Sequence, residues 1–262
     1  TGSTIVYGAF FFVLYREGLP KYYLLIGLSL IIISILALKF GTIITSIMAT
    51  VLVIGSHFLS KKKLRIFQSV FILLITFALA FAVKYVYSDI LPPHQKDRIT
   101  IWLSLEKDPV KLEQMKQTIA YNLNESEKAI RSGGFTGKGF MEGTRTTGKF
   151  VPEQHTDYIF STVGEEWGFL GSAFVVIIFV LLLLRILHLA ELQKSQFSRV
   201  YGYSVAAIIF IHFFINIGMV MGIIPTIGIP LPLFSYGGSG LWAFTILIFI
   251  FIKLDSNRIN EW

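Results

Sequence analysis

Between residues 151 and 171 the chain reads VPEQHTDYIFSTVGEEWGFLG, which places Glu153, His155, Asp157, Glu165 and Glu166 at the mouth of an apolar run. An acid at such a mouth could act as a general base, taking a proton from a hydroxyl nucleophile. The competing reading for Asp157 is an ordinary first-turn or capping acid, which the helix dipole favours. If a helix starts near Gln154, then Asp157, Ser161, Gly164, Gly168 and Gly171 or Ser172 share one stripe, a seam of small residues suited to close helix packing. Glu165 and Glu166 would lie two turns deeper, about 12 Å along the axis. Ionisable groups at that depth face a cavity or a partner, and an ion pair within the bundle is the reading we favour for both. His155, two residues before the acid, reads as a hydrogen-bonding participant. No spacing of His, Asp and Glu makes a metal site.

A second group of chemistry-bearing residues precedes this one. RSGGFTGKGFMEGTRTTGKF holds six glycines, and with Lys128 just upstream sets Lys128, Arg131, Lys138, Arg145 and Lys149 against Glu142. Glycine lets a backbone approach a ligand closely, and a Lys and Arg excess favours phosphate, so this loop could hold an anionic lipid headgroup. It is not a P-loop: Ser132 stands where the first glycine is required, Gly139 where Ser or Thr is required, and no strand precedes it. A third group, INIGMVMGIIPTIGIPLPLFSYGGSGLWAF at 215–244, breaks its spans with prolines and glycines. Irregular backbone at membrane depth must be buried in protein or line a cavity, and SYGGSG could be a helix N-terminus aimed at an anion or a buried partner.

The elements that carry these residues follow from composition. Of 262 residues, 54% are hydrophobic and 15% charged, too apolar for a soluble domain of this size. The absence of cysteine removes disulfides and Cys-based metal sites. The formal charge of +7 is read as the basic bias of cytoplasmic loops, with no nucleic acid implied. Apolar runs near 3–15, 22–38, 42–59, 66–87, 158–187, 199–224 and 236–254 approach the roughly 20 residues a bilayer core requires. They are too long and too uniformly apolar for barrel strands, so the expected fold is all-α: a polytopic helical membrane bundle of about seven spans.

Arg16 and Lys21, SKKKLR at 60–65, Arg185, Lys194 and Arg199, and Lys253 with Arg258 mark the cytoplasmic side. The organisation expected is four spans in 1–87, one large extracytoplasmic loop at 88–156 between the fourth and fifth, and three spans in 157–262. Thr1 is then outside, in a shortened helix without initiator Met or signal peptide, which reads as the C-terminal part of a longer protein.

VPEQHTDYIFSTVGEEWGFLG, SGGFTGKGF, NIGMVMGIIPTIGIPLPLFSYGGSG and the opening TGSTIVY resemble, in order and over essentially the whole chain, the motifs of the SEDS family (shape, elongation, division and sporulation). The pattern NIGMVMG followed by GIPLPLFSYGG is more similar to the elongation branch than to the division branch. The resemblance implies a peptidoglycan glycosyltransferase of the bacterial cytoplasmic (inner) membrane, polymerising lipid II on the outer face for cell-wall elongation and cell shape. It implies as partners undecaprenyl-linked glycan, a class B penicillin-binding protein transpeptidase and other elongation-complex membrane proteins. It maps the essential acid onto Asp157, a loop arginine onto Arg98 in KDRITIWL, and a tyrosine- and glutamine-rich pattern onto YNLNESEKAIRSGG. Asn122, Glu125 and Arg131 depart from that pattern, as does Gly240. An extra hairpin of spans and about five missing N-terminal spans are the other departures.

With that chemistry in view, Arg98, Lys138, Arg145, His155, Ser235, Gly237 and Gly238 are the expected substrate contacts. Glu153, Glu165 and Glu166 are structural or cavity-lining. Arg98 or Lys138 would keep Asp157 ionised. No resident cofactor is expected, although a divalent cation could share the leaving diphosphate with the arginines and lysines. A lipid flippase, and a non-catalytic scaffold for a penicillin-binding protein, are the alternatives the residues leave open.

Overall fold

A computed structural model describes residues 18, 32–42, 44–45, 47–48, 66–106, 108–118, 120–148 and 150–258. No strand occurs among them. Four helices in this set are long and apolar enough to cross a membrane, so the chain is a multi-pass helical membrane protein. The expected span at 3–15, most of those at 22–38 and 42–59, and the basic residues Arg16, Lys21 and 60–65 lie outside the described residues.

The chain divides into two units, Pro20–Met115 on one hand and Thr1–Leu19 with Lys116–Trp262 on the other. In the smaller unit, a short apolar helix α1 (Ile32–Thr42) is followed by α2 (Ile66–Tyr85), which runs on into a π turn at Val86–Ile90. Proline at the first position starts α3 (Pro93–Leu103), where a missing N–H costs nothing. Ser104, in the left-handed region at φ 52°, ends it by donating its N–H to the Ile101 and Thr100 carbonyls. Helix α4 (Pro109–Thr118) bridges the two units in sequence.

The larger unit begins with α5 (Tyr121–Gly133), whose buried positions Glu125, Ser126, Ala129 and Gly133 lie on one side. A single turn, α6 (Thr144–Thr147), follows in the glycine-rich loop. Then come α7 (Ile159–Glu191), α8 (Gln196–Val220) and α9 (Gly238–Asn257). Helix α8 is the interior one: 61% of its apolar window is buried, against 17% for α7 and 11% for α9. Lipid is as apolar as leucine, so these helices are held by close packing rather than by flight from water. Phe179 of α7 stacks on Phe213 of α8 with ring centroids 4.9 Å apart, and Leu183, Ile186 and Ala190 pack with Tyr203, Ala206, Ile209 and Phe251. Phe174, Ile177, Leu181 and Leu184 on α7 stay exposed, as a lipid-facing surface requires.

Helix α7 is one hydrogen-bonded element broken at Gly168, whose φ 61° and ψ −157° no helix contains. An upper segment, 159–167, is thereby set off from a lower one, 169–191, long enough to span a bilayer by itself.

Candidate functional site

The break in α7 is filled by the glycine-rich loop. Lys138 and Gly139 donate their N–H groups to the Glu165 and Glu166 carbonyls at 3.1 and 3.0 Å. Phe169 and Leu170 donate theirs to the Gly134 and Phe135 carbonyls at 3.0 and 3.1 Å. Groups orphaned by a helix end must find partners, and here a loop supplies them on both sides of the break. The fit needs bare backbone at the crossing: a Cβ on Gly137 (φ +83°) would lie 2.2 Å from the Glu166 carbonyl oxygen, and one on Gly168 2.3 Å from the Gly137 nitrogen.

Glu165 fastens the same loop from its side chain. Fully buried, its Oε1 accepts from Lys138 Nζ at 2.7 Å, the Arg145 N–H at 3.0 Å, and the Ser132 and Thr144 hydroxyls at 3.3 Å each. Its Oε2 accepts the Thr146 N–H at 2.9 Å. The ion pair expected for Glu165 is therefore made to Lys138 of the glycine-rich loop, not to a neighbouring span. Glu166 is buried and its carbonyl serves the loop as described. Of the small-residue stripe, Gly164 packs against helix α5, where a Cβ would meet Ile130 at 2.8 Å, and Gly168 receives the loop.

The cations expected at a diphosphate are placed as follows. Lys138 also donates to Thr144 Oγ1 at 2.8 Å. Arg145 is hydrogen-bonded to Glu125, which also accepts Lys128 Nζ at 2.7 Å, and lies 5.9 Å over the Phe150 ring. Arg98 lies on α3 of the smaller unit.

Asp157 does not sit in the first turn of a helix. A turn occupies 151–158 and α7 starts at Ile159, with Tyr158 at the N-cap and no side-chain cap. The helix thus starts about one turn later than the start expected near Gln154, because Glu153 closes the chain on itself first. Its carbonyl accepts the N–H groups of Thr156 and Tyr158 at 3.3 and 3.1 Å, and its carboxylate accepts the Thr156 hydroxyl at 3.0 Å. The capping reading of Asp157 falls with that boundary.

What positions Asp157 is a clamp on three successive carbonyls. His155 O accepts the Tyr236 N–H at 2.8 Å, Thr156 O accepts the Ser235 hydroxyl at 2.6 Å, and Asp157 O accepts Asn216 Nδ2 at 2.8 Å. Ser235 Oγ in turn accepts the Leu231 N–H at 2.7 Å, and Asn216 donates its second hydrogen to Ile229 O at 2.7 Å. From the other side Gln154, buried, donates to Thr146 O at 3.1 Å and lies 3.3 Å from the His155 ring. Beneath the turn, Val151, Tyr158 and Phe160 pack with Met219 and Val220 at the end of α8.

The Asp157 carboxylate itself is half-buried and makes no hydrogen bond among the described residues. Gly228 (φ +77°) keeps the space above it open, since a Cβ there would lie 3.0 Å from Oδ2. Burial first, and the charge of Glu153 second, push the Asp157 carboxyl above the usual aspartate value. The expectation that a loop cation holds it low is not met, because Lys138 is turned to Glu165.

Gly237 precedes and Gly238 opens α9, whose N-cap carries no side-chain bond. Asn216 and Gly228 were not singled out from sequence. The signal for Asn216 was there: one amide in an otherwise apolar span, a costly group unless its hydrogen bonds are used. No three His, Asp or Glu side chains group as a metal site among the described residues.

The sequence profile described as "Cell cycle protein", covering FtsW, RodA and SpoVE, matches residues 5–260. "Peptidoglycan glycosyltransferase MrdB" of Escherichia coli (strain K12) is 40% identical over 148 residues, 56% of this chain and 38% of that protein. "Peptidoglycan glycosyltransferase RodA" of Treponema pallidum (strain Nichols) is 35% identical over 170 residues, 65% of this chain and 38% of that one. The chain thus spans well under half the length of these relatives. Among solved structures, a chain of "Structural coordination of polymerization and crosslinking by a peptidoglycan synthase complex" superposes with a TM-score of 0.63 at 23% identity, covering 99% of this chain and 56% of that one. That likeness carries the fold.

Proposed function

The chain belongs to the FtsW, RodA and SpoVE family of cell cycle proteins, and from that premise we propose that it is the catalytic portion of a peptidoglycan glycosyltransferase. It polymerises lipid II into glycan strands for cell-wall elongation on the outer face of the bacterial inner membrane. It works beside a class B penicillin-binding protein transpeptidase. The observation that carries the reading is the placement of Asp157: a half-buried carboxylate, free of hydrogen bonds among the described residues, on a turn whose three neighbouring carbonyls are each pinned.

In this reaction the acceptor sugar's hydroxyl attacks the anomeric carbon of the donor. A new glycosidic C–O bond forms, the bond to the lipid diphosphate breaks, and the hydroxyl proton passes to Asp157, as it does to the base of an inverting glycosidase. A carboxyl whose pKa is raised by burial is, once ionised, a stronger base than an ordinary aspartate. Lys138 and Arg145 remain the proposed partners of the diphosphate, through hydrogen-bonding capacity their carboxylate partners leave over. His155, Gly237 and Gly238 border the same turn and complete the proposed contacts. Ser235 acts in this scheme by holding Thr156. The flippase reading drew on ionisable groups deep in the bundle; Glu165 is occupied by five loop donors and lends that reading no support.

The test is polymerisation of lipid II by the purified full-length protein in detergent. Asp157→Asn, expressed and folded as wild type, is expected to lose about a hundredfold or more of the rate, as removal of a general base does. Undiminished glycan synthesis would end the assignment.

A further inference from the structure

The smaller unit contains a cavity of about 650 Å³ that the reaction above does not use. Among its described lining residues Lys39, Lys84, Lys96 and Lys111 stand against Asp97 and Glu106. Lys111 is paired with Glu106 at 3.0 Å, and this raises its pKa through the hydrogen bond and then the charge of Glu106. Lys96 donates to the Ser88 carbonyl at 3.3 Å and lies 5.4 Å over the Tyr87 ring. Lys39 and Lys84 make no ion pair among the described residues; Lys39 lies over the adjacent Phe40 ring. Lys39 from α1 and Lys84 from the end of α2 thus face the cavity without an ion pair among the described residues, and the four lysines outnumber the two acids, Asp97 and Glu106, that line it with them.

Like charges gathered on one cavity repel, and the cluster is relieved when an anion enters. The volume is that of a ligand site, 300–1,000 Å³ in general, and is ample for a headgroup. Lysine is a point-charge binder of phosphate. Leu38, Leu105 and Met115 line the same space beside Thr100 and Ser104, so the wall offers apolar surface as well as charge. Lys84 closes a membrane-spanning helix, the level at which headgroup phosphates lie.

We propose that this cavity is an anion site for phosphate, of the kind borne by an anionic lipid headgroup, built by the α1–α4 unit alone. The site makes no use of Asp157 and stands whether or not the glycosyltransferase reading does. Its test measures binding, so a failure of one is distinguishable from a failure of the other.

Full-length protein purified in detergent is titrated with phosphatidylglycerol and, separately, with inorganic diphosphate, and retained molecules are counted by native mass spectrometry. Lys39→Gln/Lys84→Gln is expected to weaken phosphatidylglycerol retention roughly ten- to thirtyfold, while Lys39→Arg/Lys84→Arg keeps it. Loss confined to phosphatidylglycerol identifies the source as a lipid headgroup. An equal loss for diphosphate shows that the phosphate group alone suffices. Lys253→Gln, an exposed cation at the far end of the chain, should change neither. Retention that is the same in wild type and the double Gln variant, or that falls equally in the Lys253 control, would overturn the site.

Discussion

At the scale of single residues, Asp157 and Glu165 show how two acids eight positions apart come to opposite uses. Glu165 meets five donors, each hydrogen bond to a charged group being worth about 1.5–3 kcal/mol, and is locked into the fold. Asp157 meets none among the described residues, and its carboxyl is raised by burial and then by Glu153. A raised carboxyl favours the protonated form in the folded protein. Its contribution to stability is full below the unfolded pKa and is lost as pH rises through the folded one. Asp157→Asn is therefore expected to melt at or above the wild-type temperature while losing polymerisation, the pattern of a functional rather than structural acid. The acid limb of the pH–rate profile should lie above the usual aspartate range of about 4. Glu153→Gln removes the smaller of the two causes, so that limb should move to lower pH yet stay above the ordinary value. A limb that moves upward in Glu153→Gln would contradict the electrostatic account.

At the scale of elements, the glycine-rich loop, expected to hold an anionic headgroup, also completes a broken helix. Sequence shows that glycines let a backbone come close; it does not say whether the approaching group is a ligand or another strand of the same chain. The small-residue stripe, expected as a helix-packing seam, is one at Gly164, which packs on α5, while Gly168 receives the glycine-rich loop. The broken α7 also explains why its apolar run exceeded one bilayer crossing: 159–167 belongs to the docking platform and 169–191 to the membrane. Glu165→Ala leaves Lys138 and two backbone N–H groups without their acceptor. Breaking such a pair costs about 3 kcal/mol or more, and the loss should appear as a lower melting temperature together with protease cleavage within 134–148. A variant with Glu165→Ala that melts and resists protease as wild type does would remove Glu165 from this role.

At the scale of the whole chain, the membrane class and the positions of α2, α7, α8 and α9 were legible because apolar length and hydropathy are properties of contiguous residues. The convergence at Asp157 was not, because it joins 154–157, Asn216 and 228–236, which sequence separates by some 60–80 positions and which local pattern cannot align. Asn216 is the residue where that convergence is most concentrated: its side chain is completely buried in α8, and its amide binds the Asp157 carbonyl and the Ile229 carbonyl together. Two loops that must stay in register over a reacting carboxylate are thus tied to one point on the interior helix. Misplacing a catalytic group by about 1 Å can cost a hundredfold in rate, more than the thermodynamic loss of two hydrogen bonds at about 1 kcal/mol each would suggest. Asn216→Leu keeps the volume and the apolar surroundings while freeing both carbonyls. It is expected to lower kcat by at least tenfold with little change in KM, and to speed amide exchange across 228–236 and at Tyr158, while exchange in the lower part of α7 stays as it was. A uniform rise in exchange across α7 and α8 would show instead that Asn216 merely holds the bundle together; an unchanged kcat would show that the turn under Asp157 keeps its place without it.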